Sequence, residues 1–207
     1  MKTVALLTEK GGTGKSTLAV HLAVCGSRQG KAVVVIDLDP QASTASWCEK
    51  RAGGDIAVVG AKAQELPRLL DESRKQGADL VLIDTAGRSD VTTAHVIDAA
   101  DLVLIPCRPS IYDLEASQRT AEQIKAAQTK AGGKRAAFVL NAVPPRGTRA
   151  DEARESLEPV LPVSPVELHQ LVAFSDALND GRSVEELEPA GKAAAEIRAL
   201  YNWLIEF

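Results

Sequence analysis

Short blocks of apolar residues alternate with longer mixed blocks along most of the chain. Six apolar runs and a weaker seventh predict strands at 4–8, 32–37, 56–60, 79–84, 101–106, 136–141 and, for the weaker run, 160–168. The six runs are apolar at nearly every position, whereas a strand with one solvated face would alternate apolar and polar residues. They therefore indicate strands that are buried on both faces of a parallel sheet.

The mixed blocks between these runs have the composition of helices. They lie at 15–29, 62–76, 110–131 and 149–158, and a last block at 188–206 carries its apolar residues on one helical face. Gly30, Gly77 and the pair Gly132 and Gly133 stand where helices should stop. Helices between strands supply the crossovers that parallel strands need. The pattern predicts an α/β fold: a doubly wound, mostly parallel sheet with helices on both faces, in a single domain over 1–207.

Composition and charge narrow the possible partners. The chain has 207 residues, of which 45% are hydrophobic and 25% charged, which is ordinary for one globular core. The net charge of −4 gives no general attraction for phosphate polymers, so any nucleic-acid contact must come from a local patch. The sequence contains no uncharged apolar span of the roughly 18 residues that a membrane helix needs. We expect a cytoplasmic protein without a membrane partner.

A glycine-rich stretch, TEKGGTGKST at 8–17, joins the first predicted strand to the first predicted helix. That context suits a phosphate-binding loop, because backbone N–H groups and the positive end of the helix would face the phosphates. The standard loop pattern requires glycine at position 9, where this chain has Glu9. The predicted phosphate-binding residues are Gly11, Gly12, Thr13, Gly14, Lys15, Ser16 and Thr17.

Individual residues of this loop have separate expected tasks. Lys15 would contact the β- and γ-phosphates, and Thr17 would reach the α-phosphate. The hydroxyl of Ser16 is placed to ligate Mg²⁺. A glycine turn with a purely structural role is the alternative interpretation.

Carboxylates follow two of the other predicted strands. Asp37 ends the run at 32–37 and Asp39 follows two residues later, at the edge where open α/β sheets bind ligands, and strand alternation points both side chains the same way. Asp84 ends the run at 79–84 and would hold a magnesium-bound water, while the backbone N–H of Gly87 could contact the γ-phosphate. Alternatively, Asp39 caps a helix whose first turn begins with proline.

These motifs together resemble the deviant Walker A ATPases. The loop fits x-K-G-G-x-G-K-[ST], and it is followed by D-L-D-P-Q, D-T-A-G, LIPCRPSIYDLEA at 104–116 and LNDGRSVEE at 178–186. The last two stretches are similar to the short ParA type, which is related to the plasmid partition protein ParF. The resemblance runs over the full length of the chain. It implies a Mg²⁺-dependent ATPase of the MinD/ParA superfamily.

The resemblance also implies roles for particular residues. Lys10 would reach across a homodimer interface to the nucleotide that the partner subunit holds. Asp39 would position or activate the attacking water, and Asp37 would support Mg²⁺ through its water shell. Asn141 would contact the adenine edge, with the stretch from Pro165 to Leu168 near the ring. A turn-forming role for Asn141 before two prolines is the alternative.

What the resemblance implies for function is a cycle of assembly and release. ATP joins two subunits, and the dimer binds DNA without sequence preference and is nucleoid-associated. A centromere-binding or cargo-adaptor protein, like ParB or ParG, then stimulates hydrolysis, so that plasmid, chromosome or other cargo is partitioned or positioned. Candidate DNA contacts are Arg146, Arg149, Arg182 and Lys192, each of which could equally be a solvated surface charge.

Three other proteins with similar loops give competing interpretations. A MinD-like membrane ATPase would end in a basic amphipathic helix, but the tail at 191–207 has two basic and two acidic residues. An iron-sulfur carrier would need suitably placed cysteines, which the sequence does not offer. A metabolic ligase of the dethiobiotin-synthetase kind would need a substrate pocket, for which no residue pattern stands out.

Overall fold

A computed structural model describes residues 1–87, 90–131 and 135–207. Its strands are β1 (Lys2–Leu6), β2 (Val33–Asp37), β3 (Ile56–Gly60), β4 (Leu80–Asp84), β5 (Leu102–Cys107) and β6 (Arg135–Leu140). The helices of the described residues are α1 (Lys15–Arg28), α2 (Ser43–Lys50), α3 (Leu66–Lys75), α4 (Asp90–Ala99), α5 (Ile111–Ala131), α6 (Arg149–Leu157), α7 (Ala173–Asn179), α8 (Val184–Leu187) and α9 (Lys192–Glu206), with a 3-10 turn at Ala63–Glu65. The predicted helix stop at Gly132 and Gly133 lies outside the described residues.

The six strands form one parallel sheet in the order β3-β2-β4-β1-β5-β6. In the register of this sheet, Asp84 at the end of β4 lies between Leu6 of β1 and Asp37 of β2. The carboxyl ends of β1, β2 and β4 therefore meet at one edge of the sheet. This register brings the loop after β1 and the two strand-ending carboxylates together.

Alternate side chains of every strand except β3 enter two separate cores. Val4 and Leu6 of β1 pack on the face that α1 and α9 cover, whereas Ala5 and Leu7 pack on the face that α3, α4, α5 and α6 cover. Both sets are almost fully buried. Burial on both faces explains why these strands are continuous apolar runs. The edge strand β3 differs: only Ile56 is buried in it, so the expectation of two buried faces is wrong for the run at 56–60. The parallel sheet with helices around it confirms the predicted α/β fold.

Two details of the chain differ from the expectation. The weak run at 160–168 is no strand; within it Val163 makes an isolated bridge to Phe138, and just after it His169 makes another to Val143. Pro162 and Pro165 lie in this run, and proline cannot donate the backbone hydrogen bond that a ladder needs. The short helices α2, α4, α7 and α8 were not expected.

The helix ends at Gly30 and Gly77 are confirmed. Both glycines follow the helix end with positive φ angles, of 77° and 80°, a conformation that favours glycine. None of the helices in the described ranges is both long and apolar enough to cross a membrane.

Candidate functional site

The glycine-rich loop turns between β1 and α1 in a conformation that requires glycine. Gly12 and Gly14 have φ angles of 75° and 95°, and a side chain on Gly14 would place its Cβ 2.3 Å from Nδ2 of Asn141. Asn141 donates from that nitrogen to the carbonyl of Thr13 at 2.7 Å. The side-chain amide of Asn141, just after β6, thus holds the loop in place. The alternative, in which Asn141 only forms a turn, does not predict this contact.

Lys15 begins α1 and lies inside the loop. Its side chain is buried, and its ammonium donates to the carbonyl of Lys10 at 3.2 Å. Burial lowers the pKa of Lys15, while the charges of Asp84 and Asp39 raise it. Lys15 is thus a desolvated cation at the start of a helix, which favours an anionic ligand, and the carboxylates of Asp84 and Asp39 lie close enough to affect its pKa.

A cleft of about 660 Å³ opens over this loop. Its walls include eight of the predicted site residues, which are Gly11, Gly12, Gly14, Lys15, Ser16, Thr17, Asp39 and Gly87. The size is within the range of small-molecule and cofactor sites.

The far wall of the cleft consists of residues that sequence reasoning missed. From α2 come Ser43, Ser46, Trp47 and Lys50, from the end of α7 Leu178 and Asn179, and from the end of β5 Arg108. Ser43, Ser46 and Lys50 have helical spacing, so a helix prediction at 43–50 would have placed them on one face.

Asp84 and Ser16 form a pair that could hold a hydrated Mg²⁺. Asp84 is fully buried, and its Oδ2 accepts from the hydroxyl of Thr44 at 2.8 Å. Burial raises the pKa of Asp84 to about 6, and hydrogen bonds from Ser16 and Thr44 oppose that rise. Its Oδ1 has no hydrogen-bond partner in the part of the chain that the structure describes. A buried acceptor without a partner, beside a serine hydroxyl, fits a magnesium-bound water.

Asp37 and Asp39 have different surroundings, although they lie two residues apart. Asp37 is buried, and its carboxylate accepts from the backbone N–H groups of Asp39 at 3.0 Å and of Thr44 and Ala45 at 3.2 Å. Asp37 therefore caps the N-terminus of α2, the task that the alternative interpretation gave to Asp39. Asp39 accepts from the N–H of Gln41 at 2.9 Å and lines the cleft.

Lys10 is held within its own chain. Its ammonium lies 2.9 Å from Oδ2 of Asp113, which is buried and also accepts from the hydroxyl of Ser110. The Lys10 side chain is 39% exposed and lines a second cleft, of about 620 Å³, together with Asp39 and Gly87. Asp39 therefore lines both the cleft over the phosphate loop and the cleft that Lys10 lines.

The remaining residues predicted to lie near the adenine ring or to contact DNA do not line the cleft over the phosphate loop. Pro165 is exposed and does not line the cleft. Arg182 pairs with Asp180 at 2.8 Å, and Lys192 lies 3.7 Å from Glu196. Arg146 and Arg149 are exposed at the start of α6.

The comparisons with known proteins cover nearly the whole chain. The family model described as CobQ/CobB/MinD/ParA nucleotide binding domain matches residues 4–184. Two relatives, each called maintenance of carboxysome distribution protein A, match over almost their full length. The one from Halothiobacillus neapolitanus is 29% identical, covering 98% of this chain and 96% of the relative; the one from Gloeobacter kilaueensis is 33% identical, covering 99% and 93%.

One further relative and one solved structure are also similar to this chain. The chromosome-partitioning ATPase Soj of Thermus thermophilus is 31% identical over 56% of this chain and 58% of its own length. The septum site-determining protein MinD of Pyrococcus horikoshii, solved with Mg-ADP, has a TM-score of 0.81 at 17% identity, covering 98% of this chain and 95% of that one. The predicted resemblance to ParA-type ATPases is confirmed, and the predicted ATP and Mg²⁺ agree with the Mg-ADP that this neighbour binds.

Proposed function

The chain belongs to the CobQ/CobB/MinD/ParA nucleotide-binding family, and from this membership we propose that it is an ATPase that dimerises with ATP and positions cargo. Members of the MinD/ParA family are P-loop ATPases that dimerise and work with partner proteins. The observation that carries the proposal is buried Lys15 inside the glycine-rich loop, beside the carboxylates of Asp39 and Asp84.

Different residues of the cleft bind the phosphates, hold Mg²⁺ and position the attacking water. The backbone N–H groups of the loop and Lys15 bind the phosphates, and Thr17 reaches the α-phosphate. Ser16 would hold Mg²⁺ directly, and the unpartnered oxygen of Asp84 would hold a water bound to it, with Asp37 as a more distant support. When bound, Mg²⁺ neutralises charge on the phosphates.

Asp39 orients the attacking water. Asp39 lines the cleft together with Gly87, whose N–H contacts the γ-phosphate in this proposal. Phosphoryl transfer depends mainly on positioning and charge neutralisation, so a carboxylate at this place suits the reaction. Asn141 holds the loop and contacts the adenine edge, with Pro165 near the ring.

Lys10 makes the dimer depend on ATP. When two subunits face each other, its ammonium leaves Asp113 and contacts the triphosphate in the other subunit. A second cation on the γ-phosphate gives ATP a higher affinity for the dimer than for the single chain, and that difference drives assembly.

The ATP dimer binds DNA without sequence preference and is released when a cargo adaptor stimulates hydrolysis. Relatives named for carboxysome distribution and chromosome partitioning support positioning as the biological task. DNA binding through phosphate contacts should weaken steeply as salt rises. The whole chain acts as one domain in this proposal.

Hydrolysis and self-association test the proposal directly. ATP hydrolysis is measured with and without Mg²⁺, DNA and the candidate adaptor, and self-association is followed by light scattering. Lys15→Ala should abolish ATP binding, and Lys10→Ala should preserve binding but impair the ATP-dependent dimer. Lys31→Ala, which removes an exposed lysine beyond α1, is the matched control. A hydrolysis rate that no partner changes, or a dimer that forms equally in the Lys10→Ala variant, would contradict the proposal.

A further inference from the structure

Glu9 stands where the standard loop has glycine, and its side chain is bound to α5. Its carboxylate accepts from Nε2 of Gln123 at 2.8 Å and lies 3.4 Å from Nε of Arg119. Its backbone N–H donates to the hydroxyl of Thr120 at 3.3 Å. Three residues within one turn of α5 therefore hold one residue of the loop.

The neighbouring residue, Lys10, contacts the same helix two turns earlier. Asp113, which pairs with its ammonium, lies seven positions before Thr120 and so occupies the same face of α5. The two loop residues that precede the double glycine thus lie along one helix face. Glu9 contacts α5 through both its main chain and its side chain, whereas Lys10 contacts α5 through its side chain alone.

The main chain of residues 9 and 10 also contacts Gly87 and the phosphate loop. A Cβ on Gly87 would lie 2.9 Å from the carbonyl oxygen of Glu9, so the two backbones are in close contact. The carbonyl of Lys10 accepts from the ammonium of Lys15 at 3.2 Å and from the hydroxyl of Thr13 at 3.5 Å. These contacts join the main chain of residues 9 and 10 to the phosphate loop and to Gly87, and none of them involves the Glu9 side chain.

We propose that Glu9 is a positioning residue, which holds the main chain of Lys10 against α5 while the Lys10 side chain moves between Asp113 and the nucleotide of a second subunit. The inference rests on the ATP-dependent dimer proposed above. Because the main chain is already fixed, only side-chain conformational entropy is lost when Lys10 contacts the nucleotide of the second subunit. The smaller entropy cost leaves more of the favourable interaction free energy to stabilise the dimer.

Self-association in ATP, measured by analytical ultracentrifugation, tests this role. Glu9→Ala should weaken the dimer about tenfold, the size expected for loss of charge-assisted hydrogen bonds. The affinity of the single chain for a fluorescent ATP analogue should change by less than about twofold, since ligands of the loop remain in place. Glu9→Gln, which can still accept from Gln123 but loses the ion pair with Arg119, should be intermediate. Glu122→Ala, which removes an exposed glutamate of the same helix, is the matched control.

A double-mutant cycle separates positioning from general stability. If Glu9 acts through Lys10, Glu9→Ala should weaken the dimer no further once Lys10 is alanine. Equal weakening in both backgrounds, or an unchanged dimer in Glu9→Ala, would overturn the inference and leave the proposed function intact. A wild-type chain that fails to associate in ATP would instead refute the proposed function, and this inference with it.

Discussion

The ion pair between Lys10 and Asp113 leads to a prediction that can be worked out from the geometry. Asp113→Asn keeps the size of the side chain and its contact with Ser110 but removes the charge that holds the ammonium. In the proposed cycle this charge competes with the triphosphate of the second subunit for Lys10. We therefore expect Asp113→Asn to strengthen the ATP-dependent dimer.

The size of the effect follows from distance and exposure. At the observed 2.9 Å, Coulomb's law with an effective dielectric constant of about 20 gives a gross attraction of about 6 kcal/mol. Lys10 is 39% exposed, so solvent and lost side-chain freedom reduce the net value to about 1 kcal/mol. A dimer releases two such pairs, so about 2 kcal/mol, or about thirtyfold in dissociation constant, is expected.

The assay is a dilution series of wild type and Asp113→Asn in saturating ATP and in ADP, followed by sedimentation. Glu115→Gln is the matched control, because it removes one negative charge from an exposed position two residues after Asp113 in the same helix. The change should appear in ATP and be absent in ADP, which lacks the γ-phosphate.

Two results would refute this reasoning. The first is a dimer in Asp113→Asn that is as weak as, or weaker than, the wild-type dimer. The second is an equal gain in Glu115→Gln, which would assign the effect to the overall charge of α5.

Three further predictions concern folding and hydrolysis. Burial lowers the pKa of His21 from 6.5 to about 4, so the unfolded chain takes up this proton first, and the contribution of His21 to the free energy of unfolding should fall by about 3 kcal/mol as pH drops from 6.5 to 4. In urea titrations the difference in free energy of unfolding between the wild type and His21→Gln should change by this amount over that range, because the contributions of other titrating groups cancel in the difference. Gly14→Ala should destabilise the chain without nucleotide by about 2 kcal/mol or more, since alanine is strained at positive φ and its Cβ meets Asn141. Gly11→Ala, which has open space around it, should melt like the wild type, and equal melting temperatures for both variants would contradict the explanation. Asp39→Ala should slow hydrolysis by about a hundredfold or more while the ATP dimer persists on DNA, and hydrolysis at the wild-type rate would exclude Asp39 from orienting water.

The six strands and the phosphate loop could be predicted because their signals are local. A strand buried on both faces must be apolar at successive positions, and a loop that binds phosphate must place glycines and lysine at fixed spacing. The positions of Asp37 and Asp84 at the ends of strands could be predicted for the same reason, because they follow directly from the apolar runs.

The short helices could not be predicted, because other parts of the chain stabilise them. The N-terminus of α2 is capped by Asp37, which belongs to β2, and Ala42 just before it has a φ angle of 52°. A helix of eight residues has little stability of its own in water. Because α2 was not predicted, the contact of Thr44 with Asp84 and the cleft wall that includes Trp47 were not predicted either.

The residue types and spacings along the chain were enough to identify a parallel α/β protein with a phosphate loop and its carboxylates. They were not enough to show what Glu9 contacts, that Asp113 holds Lys10, or that Asn141 reaches the loop across 128 positions of sequence. Such contacts join residues far apart in the chain, and their geometry exists only once the sheet has brought the strand ends together.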